Sequence, residues 1–293
     1  MVLASVSNAA DPRRLAHDVR SIVADFGSRD HQHADNLEQV AAYLERALGA
    51  TGARVASQPY ETGGRRYRNV IASFGPVDGD RVVVGAHYDT FGAQPGADDN
   101  ASGVAGLLEL ARLLADAPLR ARVDLVAFTL EEPPHFRGDA MGSAVHARSL
   151  RKEGVALRGM IALEMIGFFS DAPRSQRYPA HALQWAYPSR GNFIGVVGNL
   201  RSALLVRKVA RAMRGASALP VESLAAPAFV AGVDLSDHAS YWDAGYDAVM
   251  VTDTAFFRNP HYHTMTDTPD RLDYARMAQV VDGVRAAVLE LAR

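Results

Sequence analysis

Glu131 and Glu132 stand side by side, directly after the apolar run Val123-Asp124-Leu125-Val126-Ala127-Phe128-Thr129-Leu130 and directly before Pro133-Pro134. A buried strand that ends in two acids can point one at a metal and the other at the proton that a metal-bound water must lose. An isolated Glu-Glu is ordinarily a solvated strand end, but three further apolar runs in this chain also end in ligand-type residues. Arg81–Ala86 delivers His87 and Asp89, Gly159–Leu163 delivers Glu164, and Ala248–Val251 leads through a short loop to His261, Tyr262 and His263. The chain contains no cysteine, which excludes thiol catalysis, disulfides and thiolate metal sites. Any metal here falls to His, Asp and Glu.

These residues need elements to hold them. Each run is short, β-rich and unalternating, the pattern of strands buried on both faces of an α/β sheet. Open sheets of that kind bind ligands at the carboxyl ends of their strands, where all of these residues fall. Strands are also expected at Ala53–Gln58 and Tyr67–Phe74, the latter joined to the His87 strand by the turn Gly75–Asp80. Amphipathic spacing predicts helices over 13–26, 36–48, 101–115, 142–152, 201–214 and 270–292, the last with Thr268 as N-cap and Pro269 at its first position. Helices alternating with buried strands predict a three-layer α/β/α sandwich with a mostly parallel mixed central sheet.

Composition supports this and narrows the partners. With 293 residues, 48% hydrophobic and 22% charged, the chain suits a globular protein with a large core, and no Gly/Ser- or Pro-rich linker divides it. One domain is expected over 1–293, with the helices at 13–48 packed on it. The net charge of −2 gives no electrostatic case for nucleic acid or an acidic membrane. The first residues lack a signal peptide's basic segment and apolar stretch, and nothing later is long enough to span a bilayer, so a cytoplasmic location is expected. The oligomeric state is not legible.

The sharpest local motif is Pro95-Gly96-Ala97-Asp98-Asp99-Asn100-Ala101-Ser102-Gly103, between the His87 strand and the next helix. Its glycines allow a tight turn and close backbone approach to an ion, and its acids sit at a helix N-terminus. Taken with His87-Tyr88-Asp89, Glu131-Glu132, Leu163-Glu164-Met165, Ser236-Asp237-His238 and Tyr262-His263-Thr264, the chain resembles the co-catalytic zinc exopeptidases. That family includes bacterial leucyl aminopeptidases and glutamate carboxypeptidase. The motifs occur in the family's order and span most of the chain.

The resemblance implies two Zn²⁺ ions, one held by His87 and Glu164, the other by Glu132 and His263, with Asp98 bridging them. It further implies a cis Asp98–Asp99 peptide. It leaves Glu131 as the general base for a metal-bound hydroxide, with Asp89 accepting the other N–H of His87 and Tyr262 steadying the oxyanion. Two departures are visible: many aminopeptidases of the family have Asp where this chain has Glu164, and Pro133-Pro134-His135-Phe136-Arg137 replaces a Gly-rich stretch after the two acids. An irregular insertion at 168–192 lies next to Glu164 and is read as one wall of a substrate pocket. The implied function is an aminopeptidase acting on short peptides. The alternatives are a carboxypeptidase or dipeptidase of the same family, a glutaminyl cyclase of its mononuclear branch, and a non-enzymatic binding domain on the same scaffold.

Overall fold

The unalternating apolar runs become the centre of one sheet. The computed structural model describes residues 9–180 and 182–293. Its strands are β1 (Arg54–Thr62), β2 (Arg65–Phe74), β3 (Arg81–His87), β4 (Arg122–Phe128), β5 (Leu157–Glu164), β6 (Ile194–Gly198), β7 (Val221–Ala225) and β8 (Ala248–Thr252). Among the described residues they form an eight-stranded sheet in the order β1-β2-β4-β3-β5-β8-β6-β7. The central ladders β4-β3, β3-β5 and β5-β8 are parallel, as is β6-β7, whereas β1-β2, β2-β4 and β6-β8 are antiparallel. The Gly75–Asp80 turn joins β2 to β3 in sequence, but β4 lies between them in the sheet. The tight hairpin instead joins β1 to β2 through Gly63 and Gly64, both at positive φ (58° and 72°), where side-chain-bearing residues would be strained.

Alternate residues of the central strands enter two different cores. Val82, Val84 and Ala86 face the larger, with Ile161, Leu163, Val249 and Val251, while Val83, Met160, Ala162 and Ala248 face the smaller. The larger side is covered by α1 (Pro12–Ala24), α2 (Ala34–Gly49), α3 (Gly103–Leu114), α6 (Ala203–Arg214) and α8 (Tyr274–Leu291). The smaller side carries α4 (Gly142–Lys152) and α7 (His238–Asp243), which pack on each other. Helix α3 lies against β3, β4 and β5 and is buried on nearly every face, which its sequence GVAGLLELARLL permits.

Helix α8 starts later than its spacing predicts. Pro269–Arg271 forms a separate single turn, and Asp273, not Thr268, caps α8 by accepting the N–H of Arg276 at 2.9 Å. Strands β6 and β7 and the short α5 (Leu183–Ala186) were not expected. Among the described residues no helix is long and apolar enough to cross a membrane.

Candidate metal centre

Strands β3, β4 and β5 end together, and their carboxyl ends bring His87, Glu131, Glu132 and Glu164 to one place. His263 arrives from the loop after β8, and the motif loop before α3 closes the site from the larger-core side. Three groups of side chains present ligand atoms within 4.8 Å of one another: His87, Glu131 and Glu132; His87, Asp99 and Glu164; and Asp99, Glu132 and His263. The last two share Asp99. Its Oδ1 lies 3.4 Å from His87 Nε2, and its Oδ2 lies 3.0 Å from His263 Nε2. Glu164 Oε2 is 3.4 Å from His87 Nε2, and Glu132 Oε1 is 3.3 Å from His263 Nε2.

The shared carboxylate is therefore Asp99, which corrects the expectation for Asp98. The backbone leaves helical geometry at Asp99 (φ −102°, ψ 90°) and Asn100 (φ −132°, ψ 36°), turning adjacent acids in different directions. Asp98 faces away from both imidazoles, accepting the Gly167 N–H at 3.0 Å and the Asn259 Nδ2–H at 2.8 Å. The cis peptide lies between Asp99 and Asn100, one residue later than expected.

The motif loop is held from three sides. Asn100 Nδ2 donates to the Leu163 carbonyl at 2.8 Å and its Oδ1 accepts the Met165 N–H at 3.1 Å, locking the loop to the end of β5. Gly103 makes that approach possible, since a Cβ there would sit 2.4 Å from Asn100 Oδ1 and 2.7 Å from the Leu163 oxygen. Asp267 accepts the backbone N–H of Asp98 at 2.9 Å and of Asp99 at 3.1 Å. On the remaining side the buried Arg29 guanidinium donates to the carbonyls of Ile22, Tyr88, Pro95 and Gly96. Neither Asp267 nor Arg29 carries a sequence signal of its own. Asp267 lies four positions past His263, the one hint of its place.

Asp89 also differs from expectation. His87 Nδ1 lies 3.1 Å from the Asp89 backbone carbonyl and 3.6 Å from its carboxylate, so the carbonyl takes the Nδ1–H and aims Nε2 at Asp99 and Glu164. The Asp89 carboxylate instead accepts the backbone N–H groups of Glu131 at 3.1 Å and Glu132 at 3.0 Å. It clamps the two acids at their backbone. Ser236 Oγ donates to Glu164 Oε2 at 2.7 Å, and the His263 ring is sandwiched between Phe91 and Tyr262, at centroid distances of 4.2 and 3.7 Å.

The electrostatics are those of a site short of positive charge. Burial pushes the Glu131 carboxyl well above its ordinary range, and Glu132 and Glu164 add to the rise against the opposing pull of His87. Glu132 is pushed up to about 7 by burial and by Asp99. Asp237, buried beside them with both carboxylate oxygens unpartnered, is likewise pushed up to about 7, chiefly by burial. Against its burial, His263 is raised to about 9 by Asp99 and Glu132. Buried acids this close retain protons unless cations replace them. The Nε2 atoms of His87 and His263 are also buried without hydrogen-bond partners, although carboxylate oxygens lie within ion-pair range. Imidazole nitrogens among carboxylates are divalent-cation ligands once a metal displaces their protons, so the residues present fit a metal.

Beside Glu164 and Tyr262 opens a cavity. Tyr178, Leu183 and Tyr187 of the 168–192 segment line it.

The fold and this cluster define a class: α/β proteins that gather metal-capable His, Asp and Glu side chains at the carboxyl ends of sheet strands. The chain belongs to Peptidase family M28, whose sequence profile matches residues 69–288. It is 48% identical to the Uncharacterized protein YfbL of Escherichia coli (strain K12), over 96% of this chain and 89% of that one. It is 24% identical to a Probable leucine aminopeptidase of Arthroderma otae, covering 95% of this chain and 72% of the relative. The crystal structure of Fimbriiglobus ruber glutaminyl cyclase shares the fold with a TM-score of 0.73 at 23% identity, covering 96% of this chain and 95% of the other.

Proposed function

We propose that this chain is a dinuclear zinc aminopeptidase that removes N-terminal residues from short peptides. The observation that carries the reading is the division of Asp99: one carboxylate oxygen faces the His87–Glu164 pair and the other faces the Glu132–His263 pair. A carboxylate placed between two such sets is the arrangement a two-metal site requires. His87, Asp99 and Glu164 would hold one ion, and Asp99, Glu132 and His263 the other. Two zinc ions bound there supply Lewis-acid polarisation of the scissile carbonyl and a water of lowered pKa.

The protein's own part centres on Glu131, the carboxylate that neither Asp99-sharing set uses. Its Oε2 stands 3.9 Å from His87 Nε2, and its backbone is fixed by Asp89. A buried carboxyl with a raised proton affinity is suited to take a proton from the attacking water and return it to the leaving amine. Tyr262 lies along the rim between His263 and the cavity, where its hydroxyl would steady the carbonyl oxygen as charge develops.

The shared fold of a glutaminyl cyclase of nearly equal length keeps cyclisation of N-terminal glutamine as the second reading. The assay that separates them is release from aminoacyl anilides before and after chelation. The proposal expects release that the chelator abolishes and zinc restores. Cyclisation of glutaminyl peptides without release from any anilide would overturn it.

A further inference from the structure

The cavity beside Glu164 contains a charge for which the proposed chemistry has no use. One row of residues crosses four strands: Glu164 pairs with Thr252, Thr252 with Gly195, and Gly195 with Glu222. Residues paired across a sheet point to the same face, so this row carries a carboxylate at each end. Three strand spacings, about 14 Å, separate the two Cα atoms. Glu164 belongs to the metal-capable cluster. Gly195 has no side chain, which leaves the floor between Thr252 and Glu222 open, and all four residues line the cavity.

Glu222 lies on the edge strand β7, half-buried, and among the described residues its carboxylate makes no hydrogen bond or ion pair. The donors nearby are already committed. Tyr187 donates its hydroxyl to the Ser223 carbonyl at 2.9 Å and Tyr178 to the Pro188 carbonyl at 2.6 Å, yet both phenols are pushed up by burial and, in part, by the charge of Glu222. Arg177, the other charged side chain along the wall besides the two acids, donates to the Phe256 carbonyl at 2.8 Å. Arg214 donates to Ser223 Oγ, which by strand alternation lies on the opposite face of β7 from Glu222. Between the metal end and Glu222 the walls are apolar, formed by Phe193, Val197, Leu224, Met250 and Phe257.

We infer that this cavity selects substrates whose N-terminal residue is lysine or arginine, with the aliphatic stem along the apolar wall and the cationic end on Glu222. The inference rests on the aminopeptidase reading of the neighbouring site. A leucine side chain leaves most of the row empty and Glu222 unpaired. A long cationic side chain fills the row, keeps its methylenes on apolar surface and its charge beside a carboxylate and two tyrosine rings.

The test compares kcat/KM on arginyl, lysyl, leucyl and methionyl anilides for the zinc-loaded wild type and Glu222→Gln, with calorimetric binding of L-argininamide and L-leucinamide to both proteins. The wild type should favour arginyl and lysyl substrates. Glu222→Gln should lose at least about tenfold on these, the scale of one charge-assisted hydrogen bond, and change the leucyl and methionyl rates by less than about twofold. A wild type that favours leucyl substrate, or a variant that lowers all four rates alike, overturns the inference while leaving the aminopeptidase reading intact. No release from any anilide, with argininamide still bound at least about tenfold more tightly by wild type than by the variant, would overturn the aminopeptidase reading and support the pocket.

Discussion

In the proposed reaction Glu131 and Asp99 divide the chemistry between them, and each can be addressed alone. Glu131→Gln keeps the size and the backbone clamp from Asp89 but cannot take a proton. The variant should retain its zinc and lose at least about a hundredfold in kcat, the usual scale for a general base. Undiminished kcat would remove Glu131 from the mechanism. The Glu131-Glu132 pair stands out in the sequence because three other apolar runs also end in ligand-type residues. The choice between Asp98 and Asp99 was not legible. They are the same residue type at neighbouring positions, both buried, and the turn of backbone at Asp99 and Asn100 decides which carboxylate meets the imidazoles. The resemblance sets Asp89 beside His87 but does not say whether its carbonyl or its carboxylate reaches the ring, and the carbonyl does.

The elements deliver these side chains, and one close joint lies between the start of α3 and the end of β5. Gly103→Ala would place a methyl group 2.4 Å from Asn100 Oδ1 and 2.7 Å from the Leu163 carbonyl oxygen, so one side of that joint must move. Overpacking of this kind costs about 1–3 kcal/mol. Because Asn100 adjoins Asp99, the same change should weaken zinc retention. Thermal unfolding with zinc dialysis reads both, and a variant matching wild type in each would show that the joint does not set the site. Strands β3, β4, β5 and β8 were readable because burial on both faces leaves continuous apolar runs. Strands β6 and β7 were not. Each has only five residues; Gly195 and Gly198 interrupt the apolar run of β6, and Glu222 and Ser223 that of β7, which lies at the edge of the sheet. Those same two strands build the floor of the cavity, so the pocket was visible in the sequence only as an irregular segment near Glu164.

At the scale of the whole molecule, buried acids crowd around the candidate centre. Glu131, Glu132, Glu164, Asp99 and Asp237 gather around two imidazoles, and burial raises the proton affinity of Glu131, Glu132 and Asp237. Elsewhere buried acids have partners: Glu109 is paired with Arg14 and Arg112, and Asp18 with Arg112. Two divalent cations shared through Asp99 would supply the charge that the centre lacks. The most direct test is zinc content per chain by elemental analysis after loading and dialysis, on the wild type beside Asp99→Ala and Asp98→Ala. The account predicts two zinc ions in the wild type and in Asp98→Ala, and the loss of both tightly held ions in Asp99→Ala. One zinc ion or none in the wild type, or two retained in Asp99→Ala, would contradict it.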